Sequence, residues 1–349
     1  MKVRWWPSSF SPRVASTRIR ALRVIEGLRE LGIDAGLYDP AGAPPDMLVL
    51  AKRYDAASVT RARRLQARGT RVVFDLCDNH FHCEPPTPAW QRRAELLREA
   101  VRTADAVTVS TLALADVVRA ECDDVKALHV VGDAVEPVFV PSRIARWLHP
   151  VAEWQWQGLE RQLLKERKAG SVLLLWFGNH GSENAAGGMQ DILRLRSALD
   201  SLAQRRRVSL TVISNHRPKY DALIGQLPVQ GHYLGWEQST FSRAAAMHDI
   251  AVVPVDLNPF TSCKTNNRVA TALMHGLAVV ADPVPSYAEF AHCVRIGKWS
   301  ESLESLAGDP RTRSAAVDCG RSHIEQHWQL PNIARQWRDI LTTVTETRG

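Results

Sequence analysis

Asp249-Ile-Ala-Val-Val-Pro254-Val-Asp256-Leu-Asn-Pro-Phe-Thr-Ser-Cys263-Lys264-Thr-Asn-Asn267-Arg268-Val-Ala-Thr271-Ala-Leu-Met-His-Gly276-Leu-Ala-Val-Val-Ala-Asp282 is the most informative stretch of this 349-residue chain. An apolar run over 250–255 reads as a buried strand, and a polar loop follows it. A helix is expected over about 265–275, stopped by Gly276, and a second apolar run at 278–281 returns as a strand. Strand, loop, helix and strand in that order make a βα unit of a parallel sheet.

The same alternation extends in both directions. Upstream, strands are expected at 172–177, 210–214 and 232–234, with helices through Ile192, Leu195, Leu199 and Leu202 and near 239–247. Downstream, helices are expected near 286–291 and 332–345. The first 140 residues carry a second set, with strands at 3–6, 35–38, 47–50, 72–76, 106–110 and 128–131. Its helices are expected near 15–31, 56–68, 88–103 and 112–121. Ala21, Val24, Ile25 and Leu28 lie at i, i+3, i+4 and i+7, one apolar face. The fold class read from this pattern is α/β, with two Rossmann-like doubly wound domains. The first spans 1–140 and the second 170–330. Between them 141–169, with Trp147, Trp154, Trp156 and the run Lys165-Glu166-Arg167-Lys168, reads as a connecting segment that either packs on the domain surface or touches a membrane. The C-terminal helix within 331–349 is expected to pack back on the first domain. Ligands of open parallel sheets bind beyond the carboxyl ends of the strands, so the chemistry is expected in a central cleft between the two domains.

Composition narrows the classes. Apolar residues make up 45% and charged residues 23% of the chain, a globular balance. No run approaches the roughly 18 apolar residues of a membrane span, and the N-terminus lacks a secretory signal pattern. The six cysteines form no Cys-x-x-Cys pair and read as free thiols of a reducing, cytoplasmic protein. The net charge of +7 favours anionic partners. No nucleic-acid-binding motif appears, so nucleic acid is not expected as one of them. Gly-x-Ser-x-Gly, Gly-x4-Gly-Lys-Ser/Thr and Gly-x-Gly-x-x-Gly are all absent.

Within the opening stretch, Lys264 and Arg268 are four residues apart and are expected to share a face at the start of the helix. A helix N-terminus already presents free N–H groups and a positive dipole end. Two cations added there call for an anion, and a diphosphate is the natural one. The alternative is a pair of solvated basic residues with carboxylate partners elsewhere.

With these residues in view, the chain resembles a GT-B glycosyltransferase of the large glycosyl transferases group 1 (family 4-like) type, most strongly over 170–290. The family helix ends in Glu-Ala-Met-Ala-x-Gly-x-Pro-Val-Val, and Thr271-Ala-Leu-Met-His-Gly276-Leu-Ala-Val-Val occupies that place. Lys264-Thr-Asn-Asn267-Arg268 resembles a Lys-x-x-Asn-Arg variant of the donor loop. The family's paired glutamates, one of which holds the ribose, would fall at 263 and 271. This chain has Cys263 and Thr271 there, and Thr271 offers only a weaker contact.

The resemblance implies a metal-independent transferase that moves a sugar from a nucleotide-diphosphate sugar to a glycan or lipid-linked acceptor, in polysaccharide or glycoconjugate assembly. It implies no cofactor beyond the donor. Lys264 and Arg268 would neutralise the leaving diphosphate. Gly178-Asn179-His180, a glycine-bearing turn between strand and helix, would cradle donor phosphate or be a plain turn. Trp236 would stack on the base or simply pack. In the loop after the first strand, Ser16 or Thr17 would cap the helix, and Ser16, Arg18 and Arg20 would meet acceptor or donor phosphate; the alternative is a solvated helix face. Asp78 and His80, after the strand 72–76, would position the acceptor hydroxyl, one of them as general base. The cluster Cys77, His80, His82 and Cys83 also admits a zinc reading, though its spacing is not a standard one. Two alternatives remain beside transfer. One is a GT-B-fold sugar-nucleotide epimerase, and the other a non-catalytic sugar-nucleotide-binding protein, which Cys263 and Thr271 would suit. With its positive charge, the chain is expected to be cytoplasmic with peripheral contact at the inner membrane face.

Overall fold

In a computed structural model that describes residues 1–142 and 147–346, the apolar runs become two six-stranded sheets. The first holds β1 (Lys2–Pro7), β2 (Asp34–Leu37), β3 (Met47–Ala51), β4 (Arg71–Leu76), β5 (Ala106–Val109) and β6 (Leu128–Val130), in the order β2-β1-β3-β4-β5-β6. The second holds β7 (Val172–Phe177), β8 (Val208–Ser214), β9 (Gln230–Gly235), β10 (Ile250–Val253), β11 (Ala278–Ala281) and β12 (Arg295–Ile296), in the order β12-β11-β10-β7-β8-β9. Neighbouring strands are parallel throughout both sheets. Helices cover both faces, which is why the central strands β3, β5, β10 and β11 are buried at every residue and read as unbroken apolar runs.

Strand order locates the switch points. The second sheet has the Rossmann order 3-2-1-4-5-6, which reverses between β7 and β10. The first reverses between β1 and β3. Whatever follows β7 and β10 in one sheet, and β1 and β3 in the other, sits where such folds bind ligands.

The chain divides into two compact units whose boundaries differ from those expected. The first comprises Met1–Val135, Pro259–Thr265 and Ile324–Gly349, and the second Glu136–Asn258 and Asn266–His323. The expected connecting segment is not separate over its described part, and residues 143–146 of it lie outside the described residues. Helix Pro150–Lys168 belongs to the second unit, where it buries Trp156, Leu159 and Leu163. Its Glu153 accepts a hydrogen bond from Arg243 at 2.9 Å, and its Glu166 meets His232 at 2.7 Å. Helix Leu330–Glu346 packs Leu330, Ile333, Trp337 and Leu341 into the first unit's core with Val3, Trp5 and Leu28. The last residues of that expected segment, 347–349, lie outside the described ones.

Some elements differ in kind. The expected helix over 15–31 contains a π-helical turn at Arg18–Leu22. The helix through Ile192 opens as a 3-10 segment, Gly188–Leu195. The helix expected from 265 begins only at Asn267. Helices Arg217–Ile224, Trp299–Gly308 and Pro310–His327 and the short β12 carried no signal read from the sequence. In Pro310–His327 charged residues and a mid-helix glycine dilute the apolar stripe. That glycine, Gly320, is fixed by packing, since a Cβ there would lie 2.6 Å from Leu273.

Candidate functional site

In the second unit the turn after β7 occupies the switch point. Gly178 has φ +156, and Arg268 Cδ lies 3.7 Å from where a Cβ on it would stand, so the arginine stem runs beside the turn. His180 Nδ1 lies 3.0 Å from Asn215 Oδ1, its ring lies 4.7 Å from that of His216, and its carbonyl accepts from Lys219 Nζ at 2.8 Å. Asn179 is exposed. The turn is closed from beneath by Gly188, with φ +87, where any Cβ would sit 2.6 Å from Gly181 Cα. Only glycine permits that backbone crossing.

Arg268 lies in the first turn of helix Asn267–Met274 and is half-buried. Its guanidinium hydrogen-bonds the hydroxyl of buried Tyr287. Asp191, whose carboxyl is pushed above its ordinary value chiefly by burial, feels the Arg268 charge and accepts from Gly188 N at 3.0 Å. The helix is capped by Asn266, which uses its side chain elsewhere and donates to Glu289 at 2.8 Å. Thr271 is half-buried one turn later, and its carbonyl accepts from His275 Nδ1 at 2.7 Å. Trp236 is half-buried just beyond β9, its amide donating to Ser214 O at 2.9 Å.

In the first unit the residue after β3 is Lys52, held at φ +53, a conformation that costs energy in a non-glycine residue. Lys52 Nζ and Lys264 Nζ both donate to Asp78, one to each carboxylate oxygen. Burial would raise the Asp78 pKa, but Lys264 and Lys52 overcome it and hold the carboxyl well below the ordinary range. Burial would likewise lower the Lys52 pKa, and Asp78 raises it. Two ammonium groups on one carboxylate leave the cluster with a surplus positive charge.

Lys264 reaches Asp78 because 259–265 is fastened to this unit. Asn79 Nδ2 donates to Pro259 O at 2.9 Å, and Thr111 Oγ1 donates to Cys263 O at 3.1 Å. Cys263 is buried in the core cluster with Leu114 and Val118. The position where the resemblance places a glutamate therefore holds an apolar plug. The ammonium of Lys264 also stands 4.0 Å over the Phe260 ring.

Several expectations change. Lys264 and Arg268 do not share a helix face. Thr261–Cys263 forms a 3-10 turn, Lys264 is extended, and the helix starts at Asn267, so the helical four-residue spacing does not apply. Arg20 is not available to a ligand. It is buried, with Nε donating to Asp75 at 2.9 Å and Nη1 to Val131 O at 2.7 Å and Asp133 at 2.9 Å. Burial would lower its pKa; Asp75 and Asp133 raise it. Neither Ser16 nor Thr17 caps the first helix. Val14 stands at the N-cap without a side-chain bond, and the Thr17 hydroxyl donates to Ser9 O at 2.7 Å. Arg18 folds back onto Pro12 O at 2.9 Å, and Ser16 is half-buried beside it.

His80 is buried, a setting poorly suited to a general base. Tyr54 OH accepts from Arg93 Nε at 2.8 Å and lies 2.7 Å from His80 Nδ1. Burial, followed by Lys52, lowers the His80 pKa to about 3. Cys77, His80, His82 and Cys83 do not bring three ligand atoms together. The Cys77 thiol is instead pushed up to about 12 by burial and then by Asp78.

Reading the sequence missed Lys52, the Arg20–Asp75–Asp133 network, Tyr287 and Asp191. Lys52 alone had a usable signal, being the first polar residue after an all-apolar strand at the switch point.

The fold is shared with solved structures across the whole chain. Sucrose-phosphate synthase from Thermosynechococcus elongatus superposes with a TM-score of 0.67 at 12% identity, covering 99% of this chain and 100% of that one. WaaG, a glycosyltransferase involved in lipopolysaccharide biosynthesis, gives 0.60 at 15% identity, with 97% and 99% covered. TarM gives 0.59 at 10% identity over 86% of this chain, which spans 54% of that longer protein. No protein-family model matches the sequence, and no curated protein sequence matches it significantly. The likeness is one of fold: two Rossmann-like α/β domains of the GT-B kind.

Proposed function

We propose that the chain transfers a glycosyl group from a nucleotide-diphosphate sugar to an acceptor hydroxyl. The observation that carries this reading is the fold likeness over 99% and 100% of the two chains to a sucrose-phosphate synthase, joined by a glycine-built turn beside an arginine at the second switch point.

In this reading the second unit binds the donor. The turn Gly178-Asn179-His180 offers the backbone N–H groups of Asn179 and His180 to the diphosphate, that of Gly178 being donated to Ile213 O at 3.1 Å, and Trp236, Asn267 and Thr271 are assigned to the nucleoside end. Arg268, oriented by Tyr287, meets the charge that grows on the leaving diphosphate. Its hydrogen-bond partner is a neutral hydroxyl, with the Asp191 carboxylate acting on it only through charge, and a preorganised cation aimed at developing charge lowers the barrier strongly in a water-poor site. With that charge met by the protein, the reaction needs neither a metal nor a cofactor besides the donor. Lys264-x-x-Asn267-Arg268 serves as a donor-loop variant whose lysine has a second task in the first unit. There the Lys52–Asp78–Lys264 cluster and the Ser16–Arg18 loop face the acceptor. Asp78 is too weak a base to take a proton in the ground state. It orients the acceptor hydroxyl by accepting its hydrogen bond, while His80 stays buried and neutral beside it.

The acceptor belongs to glycan or lipid-linked material at a membrane face on the cytoplasmic side, and nucleic acid is not a partner. What supports the membrane part is an exposed stripe: Trp147, Leu148, Val151 and Trp154 are 80%, 62%, 68% and 71% exposed. Lys165 and Lys168 extend the same face, and the chain carries +7. Among the described residues no helix is long and apolar enough to cross a membrane.

The test is release of nucleoside diphosphate from a panel of nucleotide sugars, with and without a glycolipid extract. Acceptor-dependent release supports transfer. Isomerised sugar nucleotide without release would mark an epimerase, and binding with neither outcome a non-catalytic protein.

A further inference from the structure

Away from both switch points, three ligand-bearing side chains meet in the second unit. His292, Cys293 and Cys319 bring one ring nitrogen and two sulfurs within 4.8 Å of one another, the one such group among the described residues. His292 and Cys293 follow the 3-10 turn Pro285–Phe290, and Cys319 comes from helix Pro310–His327, so the cluster joins two elements far apart in sequence. The two thiols are in contact, and Cys293 Sγ donates to Phe290 O at 3.3 Å. His323 lies one helical turn after Cys319 on the same face, with its ring 5.3 Å from that of His292. Its Nε2 meets Glu289 Oε2 at 3.0 Å.

We propose that His292, Cys293 and Cys319 form a binding site for a thiophilic divalent cation of the zinc class, with the fourth position taken by His323 or water. Two thiols and an imidazole are the donor set that selects such a metal over magnesium or calcium. A tetrahedral ion with sulfur at about 2.3 Å needs sulfurs about 3.8 Å apart, and the three ligand atoms already lie within 4.8 Å of one another. Binding replaces the two thiol protons by the metal and releases them to solvent, and the Cys293 bond to Phe290 O is given up. Glu289 fits a supporting role: a carboxylate on the far nitrogen of a histidine fixes its ring, as in many metal sites. Through its other oxygen the same carboxylate holds Asn266. A bound metal would thus steady the residue that precedes Arg268's helix, as a staple rather than a reaction centre.

Cobalt(II) titrated into the metal-free full chain under reductant tests the site. The expected result is one equivalent bound per chain, with thiolate-to-cobalt charge-transfer absorption that zinc abolishes by displacement. Cys319→Ser should remove that absorption, and His292→Ala, at an exposed position that leaves the fold intact, should weaken binding at least tenfold. Cys83→Ser, a thiol outside the cluster, should change neither. Absence of charge-transfer absorption in the wild-type chain overturns the proposal. So does absorption that survives both cluster variants, or that vanishes in Cys83→Ser.

Discussion

The two sheets end differently at their switch points. The second ends in a glycine-built turn beside Arg268, whose hydrogen-bond partner is the neutral Tyr287 hydroxyl. The first ends in Lys52 and Lys264 sharing Asp78, with Arg20 locked to Asp75 and Asp133 beneath. In the second, Arg268 is hydrogen-bonded to a neutral hydroxyl and feels the Asp191 carboxylate through charge alone, which suits the anion site proposed there. The other spends most of its charge internally and offers a fixed, ionised carboxylate. Similar topology thus presents two different electrostatic settings, and the difference lies in what faces the cations.

That contrast can be broken at its base. Arg20→Met strands Asp75 and Asp133 in the first unit's core, and removing one partner of a buried pair costs about 3–5 kcal/mol. Urea denaturation should show a loss of that order; a loss below about 1 kcal/mol would mean the network is not structural. The second switch point should respond in the opposite way. Arg268→Ala should lower turnover about 10- to 100-fold, the loss of a charge-assisted bond of about 1.5–3 kcal/mol. Its melting temperature should shift little, and a variant that unfolds instead would make Arg268 a structural residue like Arg20.

Protons sharpen the same comparison. His80 and, in the second unit, His248 have pKa values lowered by burial to about 3 and about 4. Unfolding lets each return to 6.5 and bind a proton. The stability tied to their neutral forms is thus fully present above 6.5 and is lost as pH falls toward the folded values. Each contributes a slope of about 1.4 kcal/mol per pH unit over that window. Asp78 works lower: its folded pKa is depressed, so its contribution holds above the ordinary carboxylate value of 3.8 and fades only below it. Stability followed from pH 7 to 4 should fall in the wild type and fall less steeply in His80→Gln. Identical profiles would place His80 in water. The smallest effect is expected at the exposed stripe. Trp154→Ser should change stability by less than about 0.5 kcal/mol while reducing sedimentation with anionic vesicles; unchanged sedimentation would remove the membrane from the account.

Much of the fold was legible because buried parallel strands leave apolar runs that need no context. The runs at 172–177 and 278–281 match β7 and β11 residue for residue. The site was less legible, for a reason visible at Lys264 and Arg268. Spacing along the chain predicts a shared face only if the intervening residues are helical, and Thr261–Cys263 turns as a 3-10 segment instead. Arg20 misled in the same way. A basic residue near a loop looks solvent-directed until the carboxylates at 75 and 133, far off in sequence, are placed beside it. Cys263 is the converse case: its departure from the family pattern reads as a lost function in sequence and as a core contact in space. The metal-type cluster was invisible because its halves are 26 residues apart and neither has a recognised spacing.

The most direct measurement is a calorimetric titration of UDP, GDP, ADP, CDP and dTDP into the wild-type chain and Arg268→Ala, in EDTA. One diphosphate should bind at a single site without divalent metal, and Arg268→Ala should weaken it at least tenfold. Failure of every diphosphate to bind at millimolar concentration, or equal binding by the variant, would contradict the donor site proposed in the second unit.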